Sequence, residues 1–102
     1  MSNQMSKHTP GPWFVTGNMT LYVEARIGGG LVQEVAAVGP TEADSGYGPQ
    51  QRANADLLAA APELLEALEA MISKATKQNW NDQYPDILEK AFAAADKARG
   101  EA

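Results

Sequence analysis

The stretch RANADLLAAAPELLEALEAMISKA, from Arg52 to Ala75, decides the fold of this chain. Its apolar residues recur at steps of three and four, a spacing typical of one face of an amphipathic helix. Glu63, Glu66, Glu69 and Lys74 fall largely outside that face. The face itself comprises Leu57, Leu58, Ala61, Leu64, Leu65, Leu68, Met71, Ile72 and Ala75. The stretch therefore predicts helical structure that supplies much of the core.

A proline interrupts this helical pattern. Pro62 disfavours the helical conformation of the residue before it, so Ala61 should mark a kink or a break. Proline suits the first turn of a helix, where no amide donor is needed, and Glu63 complements the amino end of such a helix. We expect a helix to begin near Pro49 to Arg52 and a second segment to run from Pro62 to about Lys77.

Three short segments before the helices read as strands. The second one alternates, with Leu21, Val23, Ala25 and Ile27 on one face and Tyr22, Glu24 and Arg26 on the other. Glycine-containing turns separate the segments, Gly17-Asn18 before the second and Gly28-Gly29-Gly30 after it. The expected strands are Trp13 to Thr16, Thr20 to Ile27 and Leu31 to Val38. Tight turns of this kind predict an antiparallel meander.

A last helix is expected at the carboxyl end. Gln78 to Tyr84 reads as a connection, Pro85 opens the helix, and Gly100 ends it after Asp86 to Arg99. We predict an α+β fold in which a three-stranded antiparallel meander precedes a Pro-kinked helix and a second, antiparallel helix, together covering one sheet face. One domain, 1–102, would then comprise a flexible arm at 1–9, the sheet at 10–39, a loop at 40–51 and a helical hairpin at 52–99. The residues predicted to be buried together are Leu57, Leu58, Leu64, Leu65, Leu68, Ile72, Ile87, Leu88, Phe92, Trp13, Val15, Val23 and Val35.

Composition excludes several classes of function. The chain has 102 residues, no cysteine and a net charge of −5. Disulfides, thiolate metal sites and cysteine nucleophiles are thereby excluded, and the negative charge argues against direct nucleic-acid binding. No apolar run is long enough to span a membrane, and the first residues do not resemble a secretory signal. We expect a cytoplasmic protein.

The candidates for chemistry are sparse. His8 is the only histidine, and a general base would need a carboxylate and a nucleophile beside it. Gly28-Gly29-Gly30 lacks the following Lys and Ser or Thr of a phosphate loop, which favours a turn. The carboxylates at 63, 66, 69, 82 and 86 have the spacing of a solvated helix face rather than of a metal or hydrolytic site. We predict no catalytic residue, no cofactor and no metal.

Exposed aromatic residues are better candidates for binding. Tyr22, Trp80 and Tyr84 lie on a polar strand face or in a connection, and such rings are favoured at protein interfaces. Packing within the fold is the alternative for Trp80 and Tyr84, whereas Trp13 and Phe92 are expected in the core. If the protein instead binds a small ligand, a pocket between protomers would use Arg26 and Arg52.

Two segments carry a resemblance to known proteins. HTPGPW, His8 to Trp13, and ANADLLAAAPELLEAL, Ala53 to Leu68, resemble paired segments of short, uncharacterised proteins encoded by tailed phages and prophages. The second segment is also similar to one in early-region accessory proteins of lambdoid phages. The resemblance implies a small accessory protein of the bacterial host cytoplasm and transfers no catalytic residues.

These observations lead to one expected function and one alternative. We expect a non-catalytic phage accessory protein that binds a host protein, such as an antagonist of host defence. The alternative is a protein that binds or sequesters a nucleotide signal. Because a three-stranded sheet has two edges and one uncovered face, a homo-oligomer is a further expectation.

Overall fold

The computed structural model of the chain describes residues 7–39 and 49–101, and within them a sheet precedes the helices. The α+β class with a three-stranded meander is confirmed. Most of the predicted loop at 40–51 and of the predicted arm at 1–9 lies outside the described residues. The elements are β1 (Trp13–Gly17), β2 (Leu21–Gly28), β3 (Leu31–Val38), α1 (Pro49–Ala59), α2 (Ala61–Lys77), α3 (Trp80–Gln83) and α4 (Pro85–Ala98).

The sheet has the order β1-β2-β3, with both pairs antiparallel. Val23 lies opposite Val15 on one side and opposite Ala36 on the other, so these side chains share a face. The pairing of β2 with β3 shifts twice, leaving Val35 and Ile27 as extra residues. The second shift explains why Ile27 is exposed, contrary to the simple alternation that placed it with Leu21, Val23 and Ala25.

Helix α1 packs on that face of the sheet and completes its core. Leu21, Val23, Val38 and Ala55 form the buried cluster. The half-buried side chains packed around it are those of Trp13, Val15, Val35, Ala36 and Ala59. Because positions 51, 55 and 59 of α1 are four residues apart, they form one line along the helix, and alanine at two of them allows close approach.

A buried glutamine joins α1 to the sheet. Gln51 is fully buried, and its Nε2 donates hydrogen bonds to the carbonyl oxygens of Val38, at 2.7 Å, and Met19, at 3.2 Å. These carbonyls lie at the end of β3 and in the β1–β2 turn. One side chain therefore ties the first turn of α1 to two separate parts of the sheet.

The helical stretch breaks where the proline predicts. Helix α1 ends at Ala59, and α2 begins at Ala61, which makes Pro62 its second residue. The Ala60 amide donates to the carbonyls of Asp56 and Leu57 and closes α1 with a tight last turn. A break, rather than one straight helix, is the observed form.

The chain divides into two compact units. Residues 9–63 form the sheet unit, and residues 7–8 with 64–101 form the helical unit. Within the helical unit, Asn79 adopts a left-handed conformation and leads into the four-residue helix α3, where the sequence predicts only a connection. No helix of the described residues is long and apolar enough to cross a membrane.

Part of the predicted core is wrong. Val23 and Leu88 are buried and several other members are half-buried, but Leu57, Leu58, Leu64, Ile87 and Phe92 are exposed. The prediction treated the apolar residues of α1 and α2 as one continuous helix face. The chain breaks at Ala60, so the apolar residues before and after the break do not lie on the same face. Leu57 in fact lies about 200° around α1 from the buried Ala55.

In α4 the buried residues form a narrow line along one side of the helix. It runs through Leu88 and Ala95, with Ala91 half-buried, and leaves Ile87 and Phe92 on its two flanks. The larger side chains on either side of this line, Ile87 and Phe92, are 59% and 44% exposed.

We expect Gln51→Leu to lower the free energy of unfolding by about 1–3 kcal/mol, because the buried carbonyl of Val38 loses its donor while the volume stays similar. Urea denaturation followed by circular dichroism measures this change. Gln33→Leu, the same substitution at an exposed site of β3, serves as control and should change stability by no more than about 0.5 kcal/mol. Equal stability of the two variants would contradict the role given to Gln51.

Gly11→Ala should also destabilise the fold, by about 1–3 kcal/mol, because a Cβ there would lie 2.9 Å from the Cβ of Pro62. Gly39→Ala is a matched control, since Gly39 also precedes a proline and, among the described residues, no atom lies within 4 Å of where its Cβ would be. Thermal unfolding of both variants tests the contact. If the Gly11→Ala and Gly39→Ala proteins have the same melting temperature, the segments that contain Gly11 and Pro62 do not pack together.

Candidate functional site

Two predicted interface aromatics lie together in the helical unit. The left-handed Asn79 turns the chain out of α2, Trp80 opens α3, and Tyr84 follows its end. The Tyr84 amide donates to the Trp80 carbonyl, which fixes the spacing of the two residues. Their ring centroids are 5.3 Å apart at 61°, an edge-to-face arrangement. Trp80 is 38% exposed and Tyr84 46% exposed, so both rings reach solvent.

An apolar groove runs from this pair between α2 and α4. Its cavity volume is about 290 Å³. Leu68, Met71 and Ile72 of α2 form one wall, Leu88 and Ala91 of α4 form the other, and Trp80 lies at one end. Lys74 and Gln78 also line the groove, but its exposed surface is nearly all apolar, so it is suited to apolar side chains.

Two acidic side chains lie close in sequence to the aromatic pair. Asp82 lies in α3, between Trp80 and Tyr84 in the chain, and Asp86 follows in the first turn of α4. Both are exposed, and neither has an ion pair among the residues that the structure describes. These two exposed carboxylates, each two residues from Tyr84 in the chain, are referred to as the acidic border.

Arg99 holds the far end of the hairpin together. Its guanidinium pairs with Glu69 of α2 at 2.7 Å, with Asp96 at 2.6 Å and with Glu101 at 3.2 Å. The hydrogen bond to Glu69 is the largest cause of a pKa of Arg99 raised above its usual value, followed by the bond to Glu101. This cluster was not predicted, because residues 69 and 99 meet only once the hairpin has formed.

Tyr22, the third predicted interface residue, lies in the other unit. It is half-buried on β2, opposite Thr16 of β1 and Ala37 of β3. Adjacent strand residues point to opposite faces, so Tyr22 is on the sheet face away from the buried Leu21 and Val23. The structure thus brings Trp80 and Tyr84 together, while Tyr22 belongs to a separate surface.

The two arginines of the alternative site also lie apart. The Arg26 guanidinium is 4.8 Å from the centre of the Phe14 ring, on the same sheet face as Tyr22. Arg52 is on α1, which packs against the opposite face, and its Nε lies 3.2 Å from Asp56. One chain does not form a pocket with both. A pocket between protomers stays a prediction.

The candidates for chemistry do not cluster. Within residues 7–39 and 49–101, no three His, Asp or Glu side chains are placed to hold a metal ion. Glu63, Glu66 and Glu69 are exposed along α2, and His8 is half-buried in the helical unit. Gly28, Gly29 and Gly30 all have positive φ and form the β2–β3 turn, as expected.

The two segments that suggested a phage relationship meet in the fold. Gly11 packs against Pro62, so closely that a side chain on Gly11 would overlap it. In the same segment the Trp13 indole donates to the Thr9 carbonyl at 3.1 Å, and the Gly11-Pro12 peptide is cis. Both segments thus help to hold the end of α1 and the start of α2 beside β1.

Comparison with known proteins supports a phage origin. No curated protein and no solved structure matches the chain. A family model, however, matches residues 1–102. Because that match extends over the whole chain, the expected relationship to phage proteins is confirmed: the protein belongs to the family described as Salmonella phage P22 protein Y8K6.

Proposed function

We propose that this phage protein acts by binding a protein of the bacterial host, without chemistry of its own. The observation that carries the proposal is the exposed, mutually packed pair Trp80 and Tyr84. Trp and Tyr are the residue types most enriched among the energetically dominant residues of interfaces. Within the proposal, the host cytoplasm is the place of action and a defence protein is the first class of partner to test.

The pair has the properties of a prepared binding surface. Each ring braces the other at 5.3 Å, so little side-chain freedom is lost when a partner covers them. Covering a large aromatic ring removes much apolar area from water, while the Tyr hydroxyl and the Trp N–H keep a polar edge. The four-residue helix α3 and the start of α4 hold the pair on regular structure rather than on a loose loop.

The charges around the pair define the kind of partner. Asp82 and Asp86, the acidic border, lie on either side of Tyr84 in the chain, and the whole chain carries a net charge of −5. A partner that offers an apolar pocket bordered by Lys or Arg would complement both features. A polyphosphate backbone would be repelled, so the charge supports a protein partner over nucleic acid.

The nucleotide-signal alternative has less support. Arg26 already stacks on Phe14, and Arg52 already pairs with Asp56. If Arg26 and Arg52 bound a phosphate, both contacts would have to be rearranged. The net negative charge of the chain would also repel the phosphate. These contacts favour protein binding.

Replacing both rings tests the proposal. The double variant Trp80→Ala/Tyr84→Ala should lose capture of its host protein by about 10-fold or more, because two central aromatic contacts are removed. Capture from host lysate is measured by quantitative mass spectrometry, and the recovered protein is then titrated against both forms. Phe92→Ala, an exposed aromatic substitution elsewhere on α4, is the control and should capture normally. Undiminished capture by the double variant, or its unfolding, would overturn the proposal.

The acidic border can be tested separately. Asp82→Asn/Asp86→Asn should slow association with the captured protein by about 3-fold or more at low salt, and this difference should shrink as salt rises. Stopped-flow or surface-based kinetics at two salt concentrations measure it. Glu89→Gln, an exposed carboxylate further along α4, controls for a general change in charge. An association rate that does not depend on Asp82 and Asp86 would mean that the partner has no basic border.

A further inference from the structure

We infer that Asn79 is the positioning residue of the candidate site: its left-handed backbone, rather than its side chain, places Trp80 at the end of the groove between α2 and α4. The partner of the proposed function would then meet the aromatic pair and the groove as one surface. This consequence for binding rests on the proposed function, whereas the placement of Trp80 by Asn79 can be tested without it.

Asn79 has a backbone conformation that most residue types avoid. With φ at 63° and ψ at 33°, it is the one non-glycine residue of positive φ within residues 7–39 and 49–101. The left-handed conformation brings the Cβ of an L-residue close to the following carbonyl oxygen, and asparagine is among the few non-glycine residues that adopt it readily. The fold therefore holds position 79 in a conformation that most side chains would oppose.

The backbone of Asn79 belongs to two helix ends. Its N–H donates to the Thr76 carbonyl in α2 at 3.2 Å, and its carbonyl accepts from the Asp82 amide in α3 at 3.1 Å. The Asn79 side chain makes no capping hydrogen bond to α3. Position 79 therefore supplies a change in the direction of the backbone. A residue that takes the same conformation without a side chain should supply it equally well.

A straight helix would keep Trp80 away from the groove. The apolar side chains of α2 that line the groove are Leu68, Met71, Ile72 and Ala75. At about 100° per residue, they span roughly 100° of the helix circumference, with Ala75 near the middle. If α2 continued through Asn79, Trp80 would lie about 140° around the helix from Ala75. Trp80 lines the same groove, so it lies there because the chain turns at Asn79.

The sequence after α2 also favours the turn over a longer helix. In a continued helix, positions 79 and 82 would follow Ala75 on the side that faces the groove. These positions are occupied by Asn79 and Asp82, which would place polar groups on an apolar surface. Continuing the helix would thus bury no further apolar side chain on that side, and the left-handed turn has no apolar competitor.

Melting temperatures of variants at two asparagines test the requirement for a left-handed backbone. Glycine adopts this backbone freely but is a poor helix former, whereas alanine is the best helix former. We expect Asn79→Gly to melt at a higher temperature than Asn79→Ala. At Asn81, an exposed asparagine within α3, the order should be reversed. The same order at both positions, or no difference at position 79, would overturn the inference. An Asn79→Ala chain too unstable to fold still satisfies the expected order if the Asn79→Gly chain folds.

Fluorine NMR follows Trp80 directly. The chain has two tryptophans, so 5-fluorotryptophan gives one ¹⁹F resonance each for Trp13 and Trp80, which Trp80→Phe assigns. Asn79→Val, with a β-branched side chain that opposes positive φ, should move the Trp80 resonance towards its position in denatured protein. The Trp13 resonance, from the sheet unit, is the internal control and should stay in place. Asn79→Gly should reproduce the wild-type spectrum. An unmoved Trp80 resonance in Asn79→Val would overturn the inference.

Affinity separates this inference from the proposed function. Titrated against the host protein recovered with the wild-type chain, Asn79→Val should bind about 10-fold or more weakly, and Asn79→Gly should bind as the wild type does. Wild-type affinity in an Asn79→Val protein whose Trp80 resonance has moved would overturn the single surface and leave the proposed function standing. If the Trp80→Ala/Tyr84→Ala protein shows undiminished capture, the proposed function fails, and the melting and ¹⁹F comparisons decide whether Asn79 positions Trp80.

Discussion

The sheet unit depends on one polar side chain, that of Gln51. A helix that packs on a three-stranded sheet is normally held by apolar contact alone, but here the helix offers Ala55 and Ala59 at its contact line. Alanines bring the helix close and supply little area. The hydrogen bonds from Gln51 to Val38 and Met19 add directional contacts to this apolar packing, and a sliding helix would lose them.

The elements that could be predicted are those governed by local rules. The alternation in β2, the glycine turn at 28–30 and the break before Pro62 depend on neighbours in the sequence, and each is present in the structure. The burial of Leu57, Leu58 and Phe92 depends instead on where a helix meets its partner. In α1 the buried residues are Gln51 and Ala55, and in α4 they are Leu88 and Ala95, where periodicity suggested wider leucine and phenylalanine faces.

The candidate site shows the same division. Trp80 and Tyr84 could be singled out because large aromatic rings stood in a polar segment. Their edge-to-face packing and the groove beside them could not, since both depend on the left-handed turn at Asn79 and on the spacing of α2 and α4. Gln51 gave no signal at all, because a glutamine near the start of a helix is usually solvated. Arg99 required knowledge of which helices are neighbours.

The two irregularities in the pairing of β2 with β3 have a consequence for solubility. Val35 and Ile27 interrupt a ladder that would otherwise present β3 as a straight, regular edge. A bulged edge twists away from the flat geometry that a strand from another molecule needs for pairing. Chains of this protein are thus less prone to join into extended sheets, even though Leu31 and Val32 lie exposed at that edge.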